Sequence, residues 1–183
     1  TITLDVQGSL TVNAEVTVFN SGTIIVENVG GVVPEYGNGF PVGILILGAL
    51  DNSGTITIEN VTAQTVGIGV SFSANLSDPD NPQLTPGVLT NSGPITIQNA
   101  GYESQGINNL GVLNNAASGT ITAANSLTSS TGIRNERFGG VLGTITNAGS
   151  MTLANSGDGD GRGLSNAGSF TNSATGTFTI NPS

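Results

Sequence analysis

One phrase recurs from end to end of this chain, and its recurrence constrains the fold more than any other feature. The clearest copy is Asp51-Asn52-Ser53-Gly54-Thr55-Ile56-Thr57-Ile58-Glu59-Asn60, a turn, an alternating apolar and polar strand, and a second turn. Near-copies are Phe19-Asn20-Ser21-Gly22-Thr23-Ile24-Ile25-Val26-Glu27-Asn28 and Thr90-Asn91-Ser92-Gly93-Pro94-Ile95-Thr96-Ile97-Gln98-Asn99. Weaker ones start at Thr120, Ser150 and Thr177, and the chain opens on Thr1-Ile2-Thr3-Leu4. The intervals between copies are 22, 32, 39, 26, 30 and 27 residues. A repeat of this length marks a solenoid. Its variable length suits β-coils, whose corner loops absorb insertions while the strands keep register.

Two further pieces accompany each copy. One is Gly43-Ile44, Gly67-Ile68, Gly106-Ile107, Gly132-Ile133 and Gly163-Leu164. The other is Gly48-Ala49-Leu50, Gly87-Val88-Leu89, Gly111-Val112-Leu113, Gly140-Val141-Leu142 and Gly168-Ser169-Phe170. No stretch carries sustained helical periodicity. The expectation is an all-β chain, a single-stranded parallel β-helix (β-solenoid) with about three short strands per coil and about six coils. Residues 1–183 form a single domain, with loop insertions at 30–41 and 71–86. At the usual strand spacing of about 4.7–4.9 Å, such a stack is roughly 30 Å long.

Side chains alternate across a strand, so residues two apart share a face. Stacking the copies gives one inward column of Ile2, Ile24, Ile56, Ile95, Ile121, Met151 and Phe178, and another of Leu4, Val26, Ile58, Ile97, Ala123, Leu153 and Ile180. Every member is apolar. Asn20, Asn52, Asn91, Asn115, Asn147 and Asn172 precede the strand; Asn28, Asn60, Asn99, Asn125 and Asn155 follow it. Asn suits turns and can stack into hydrogen-bonded ladders. The corner glycines are expected to supply positive φ.

Composition excludes several functions. The net charge is −9, with three Arg, no Lys and no His, so the basic footprint of a nucleic-acid binder is missing. Membrane insertion is not expected, because the apolar run at 42–50 is far too short to span a bilayer as a helix. Without Cys or His there is no Ser-His or Cys-His nucleophile. The acids sit at corners and loops rather than as a catalytic pair, so the chain is not expected to be an enzyme.

The Asn-Ser-Gly-Thr-Ile-Thr-Ile copies and the run Gly106-Ile107-Asn108-Asn109-Leu110-Gly111-Val112-Leu113-Asn114-Asn115 resemble the repetitive stalks of bacterial surface β-helix proteins. These include autotransporter passengers, filamentous-haemagglutinin-like adhesins and fibre-forming surface proteins. The resemblance implies a right-handed coil, secretion, and an extracellular, cell-surface location. It carries over no binding residue.

Three functional readings follow. In the first, the chain is a non-enzymatic structural subunit joining head to tail with itself, through Thr1, Ile2, Thr3, Leu4 and Val6 at one end and Thr177, Phe178, Thr179 and Ile180 at the other. Its first and last rungs are strand copies, so either it is cut from a longer stalk or one molecule's last rung receives the next one's first. Such contacts generate open fibres. In the second, the chain is an adhesin segment whose insertions, with Tyr36, Phe40 and Phe72, bind a host ligand or surface carbohydrate. In the third, the Thr-x-Thr array of Thr1, Thr23, Thr55, Thr120 and Thr177 with Thr3, Thr57, Thr96, Thr122, Thr152 and Thr179, interrupted by Pro94, Ser150 and Ile25, binds ice, against the plainer reading that Thr is simply a good strand former. No organic cofactor is expected. Calcium is the one ion suggested, at Asp158 and Asp160 or at Asp78 and Asp80. Calcium takes about six to eight oxygens, however, and each loop offers only two carboxylates beside its carbonyls.

Overall fold

In a computed structural model, residues 2–5, 9–27, 29, 41–61, 64–75, 83–99, 101–125, 129–155 and 161–181 are described. Among them there is no helix, and so none long and apolar enough to cross a membrane. The strands pile into three parallel sheets, one strand of each per coil.

The first sheet has seven strands: Ile2–Asp5, Thr23–Glu27, Thr55–Val61, Pro94–Asn99, Thr120–Asn125, Ser150–Asn155 and Thr177–Asn181. The second has six: Leu10–Val12, Val42–Ile46, Val66–Val70, Gln105–Asn109, Thr131–Asn135 and Arg162–Asn166. The third also has six: Thr17–Asn20, Ala49–Asn52, Val88–Asn91, Val112–Asn115, Thr144–Asn147 and Ser169–Asn172. This is the β-solenoid of six three-strand coils, with one further strand opening a seventh.

The repeat copies stack in register. Ile24 pairs with Ile56, Ile56 with Ile95, Ile95 with Ile121, Ile121 with Met151, and Met151 with Phe178. Within this column every side chain from Ile24 to Met151 is buried. Columns from the other two sheets, such as Ile44, Ile68, Ile107 and Ile133, or Leu50, Leu89, Leu113 and Ile145, close the same core. Each such side chain contributes on the order of 1.5–3 kcal/mol on burial.

Two details differ from the sequence expectation. The corner glycines do not supply positive φ; among the described residues only Gly139 and Gly140 do so. A methyl group on Gly54 would instead run into the carbonyl oxygen of Gly22, and one on Gly93 into that of Gly54. Glycine is needed there because successive coils meet backbone to backbone. The left-handed corners are held by Glu15, Gln64, Glu103 and Ser129. The last three each precede a buried hydroxyl residue, Thr65, Ser104 and Ser130.

The second difference is at Gly140-Val141-Leu142, which is no rung of the third sheet. Val141–Leu142 pairs antiparallel with Arg137–Phe138 in a small hairpin, and Thr144–Asn147 takes the place in the sheet. The apolar residue in the column is Ile145, which follows Gly143.

Candidate functional site

Three surfaces bear on function: the two end rungs, the Thr face of the first sheet, and the outer face of the second.

At one end the strands Ile2–Asp5, Leu10–Val12 and Thr17–Asn20 are each paired on one side only, and at the other so are Thr177–Asn181, Arg162–Asn166 and Ser169–Asn172. Ile2 is 52% exposed and Ile180 46%, although both lie in columns that are buried further along the stack. Phe178 is half-buried against Phe170, ring centroids 4.9 Å apart. Thr177 is exposed and Thr179 half-buried. Thr3 and Leu4 pair in register with Ile25 and Val26. Thr1 and Val6 lie outside the described residues.

An asparagine ladder runs the length of the third sheet. Asn20 Nδ2 donates to Asn52 Oδ1 at 2.7 Å, and the same bond repeats from Asn52 to Asn91, Asn91 to Asn115, Asn115 to Asn147, and Asn147 to Asn172, at 2.7–2.9 Å. The ladder is polar: each amide donates toward the later coil. At the last rung Asn172 Nδ2 turns back to Gly176 O. For Asn60, Asn99, Asn125 and Asn155 the backbone alone is described, and Asn28 lies outside the described residues.

A second ladder links Asn109, Asn135 and Asn166, at 2.7 Å each. The first three coils fill this column with Val12, Ile46 and Val70. Asn109 Oδ1 therefore faces Val70 and is buried without a partner. Leaving such an acceptor unpaired costs about 1–3 kcal/mol.

The Thr array is in register on the first sheet, with Thr57, Thr96, Thr122, Thr152 and Thr179 at successive levels. Ile25 precedes them, and Pro94 and Ser150 interrupt the companion column.

The outer face of the second sheet changes character along the stack. Val42, Leu45 and Val66 are buried outside the main core, in a cluster of their own with Leu47 against it. Beside them lies a hollow of about 440 Å³, walled by Phe72, Ser73 and Ala74 and reaching Asn108. Asn108 is 6% exposed and Gln105 5%, yet Asn108 Oδ1 and Gln105 Oε1 have no hydrogen-bond partner. One coil further on, Arg134 pairs in register with Asn108, and Arg162 with Thr131. Ser129, Thr131, Arg134, Arg162 and Ser165 line a second hollow of about 320 Å³. Arg134 is ion-paired with Glu136.

Phe72 belongs to a hairpin, Phe72–Asn75 with Gln83–Pro86, projecting from the third coil. Its ring stacks on Phe138 of the other hairpin at 5.2 Å. The sequence reading places a loop insertion at 71–86, where this hairpin lies, and has nothing at the second hairpin, whose only signal is Gly139-Gly140. Tyr36, Phe40, Asp78, Asp80, Asp158 and Asp160 lie outside the described residues. Among those described, no three acidic side chains come together to hold a metal.

Compared with protein-family models, curated proteins and solved structures, the chain gives no match.

Proposed function

We propose that the chain is a non-enzymatic structural subunit that stacks end to end with copies of itself into a filament, secreted to the cell surface. The observation that carries this reading is that the first sheet ends, at both ends of the stack, on a strand of the same repeat, paired on one side only and in the same columns. Laid on the next copy's first strand, Phe178 would meet Ile2 and Ile180 would meet Leu4. Because the first sheet has one strand more than the other two, this join leaves one level of the second and third sheets to be filled between copies. Edge strands of this kind are templates for pairing, and a head-to-tail contact does not close on itself.

The join would bury Ile2, which is 52% exposed, Ile180, which is 46% exposed, and the exposed part of Phe178.

Negative-stain microscopy with sedimentation velocity over a range of concentrations tests the reading. Threads whose length grows with concentration support it. Ile180→Asp puts a charge on an exposed edge residue and should leave short rods of the same fold. Short rods from the wild type at every concentration would overturn it.

A second reading, ice binding, is supported by the in-register Thr column. Thermal hysteresis from a filament-deficient variant such as Ile180→Asp tests it separately, and none in that sample removes it.

A further inference from the structure

The outer face of the second sheet supports a ligand site independent of the end rungs. Its two hollows adjoin, because Asn108 at the edge of the apolar one pairs in register with Arg134 at the edge of the polar one. Neighbouring strands lie about 4.8 Å apart, so a single small molecule can occupy both. The apolar hollow exists because this face is unlike the rest of the solenoid's exterior. Val42, Leu45 and Val66 point outward, Gly69 contributes no side chain between Leu45 and Asn108, and the Phe72 hairpin forms a wall. A volume of about 440 Å³ falls within the range of small-molecule pockets.

Polar groups are sparse and arranged in sequence along the face. Asn108 lines the hollow and is more than nine-tenths buried, and its Oδ1 has no hydrogen-bond donor; Gln105 Oε1, on the same strand, is likewise buried without one. Each oxygen can accept an N–H or O–H from a ligand. Beyond them come Arg134 and Arg162. The chain carries a net charge of −9, yet its only three cationic side chains, Arg134, Arg137 and Arg162, all lie on the fifth and sixth coils, and two of them line the second hollow. Arg134 is ion-paired with Glu136, whereas among the described residues no carboxylate lies within ion-pair distance of Arg162, the other cation in that hollow.

We infer that this face binds an amphiphilic acid of the N-acyl amino acid type. Its medium-length acyl chain would lie in the hollow beside Val42, Leu45 and Phe72. Its amide N–H would donate to Asn108 Oδ1, and its carboxylate would accept from Arg162 and from the hydroxyl groups of Thr131 and Ser165. Each feature of the ligand answers one feature of the face: an apolar volume, an orphaned acceptor, a cation. The site lies on the side of the solenoid, so end-to-end stacking leaves it open.

Calorimetric titration of the full chain with N-decanoylglycine, below the concentration at which it forms micelles, tests the inference. Saturable binding to one site is expected. The decanoylglycine methyl ester should bind about tenfold more weakly, and N-acetylglycine, which lacks the tail, more weakly still. Arg162→Gln should weaken the acid about tenfold and leave the ester unchanged. Asn108→Leu replaces the orphaned amide by an apolar side chain of similar size; it should weaken the acid about tenfold while raising the melting temperature. That opposition separates a ligand contact from a structural one. No binding by the wild type, or binding that neither variant alters, would overturn the inference. Equal binding of the acid and its ester would also overturn it, by removing the role of Arg162.

Discussion

The side-chain amide of Asn115 donates to Asn147 Oδ1 at 2.7 Å, across a gap of 32 residues in sequence and one rung in space. The same Nδ2 lies within hydrogen-bond distance of Gly119 O and Ser150 O, while Asn115 Oδ1 accepts from Asn91. One buried side chain thus ties three coils together, and like side chains can make this bond only when the coils sit directly above one another.

Asn115→Ala should cost about 2–3 kcal/mol, because it leaves Asn147 Oδ1 without its donor in a buried setting and removes one of the acceptors of Asn91 Nδ2, which keeps Gly93 O. Asn172→Ala, at an exposed last rung, should cost less than about 1 kcal/mol. Urea denaturation of the two variants compares them directly. Equal losses would mean that the ladder's bonds are not what the buried amide contributes.

Close approach of the coils predicts a contrast between two glycines. Gly54→Ala drives a methyl group into the carbonyl oxygen of Gly22 and should cost about 2–3 kcal/mol. Gly69→Ala meets only side-chain methyl groups, Val42 Cγ1 at 3.2 Å and Leu45 Cδ1 at 3.5 Å, and should cost no more than about 1 kcal/mol. Thermal melts of both variants check the pair.

Glu15 sits at φ 63°, is exposed, and holds a corner of the first coil. A left-handed conformation costs an L-residue roughly 1–2 kcal/mol that glycine avoids, against glycine's own entropy of about 0.5–1 kcal/mol. Glu15→Gly is therefore expected to stabilise the fold by a few tenths of a kcal/mol to about 1 kcal/mol. A lowered melting temperature would show that the carboxylate contributes something the geometry does not reveal.

How much of this was legible beforehand varied with the kind of contact. Ile56, Ile95 and Ile121 announced their column because a two-residue period places them on one face and the repeat places them at one level. The Asn20-to-Asn172 ladder was readable for the same reason. Asn109, Asn135 and Asn166 were not, since three coils of Val and Ile precede them in that column, and only the register shows Asn109 standing on Val70. Gly54 looked like a turn residue; its real constraint is the distance to Gly22, which no local sequence encodes. Val141 and Leu142 were misplaced because an apolar pair after Gly reads alike in a rung and in a hairpin. The orphaned oxygens of Gln105 and Asn108 are invisible in sequence, as both residue types are ordinarily solvated.

The most direct measurement of the central claim is a cysteine cross-link, since the chain contains no Cys of its own. Thr179 pairs in register with Thr152, and Thr3 with Ile25. In an end-to-end stack Thr179 of one copy would face Thr3 of the next, at a strand spacing of about 4.8 Å that a disulfide can bridge. Oxidising a variant with both Thr3→Cys and Thr179→Cys should give a ladder of covalent multimers on a denaturing gel, while each single variant stops at dimer. A double variant that yields only monomer and dimer would contradict the account.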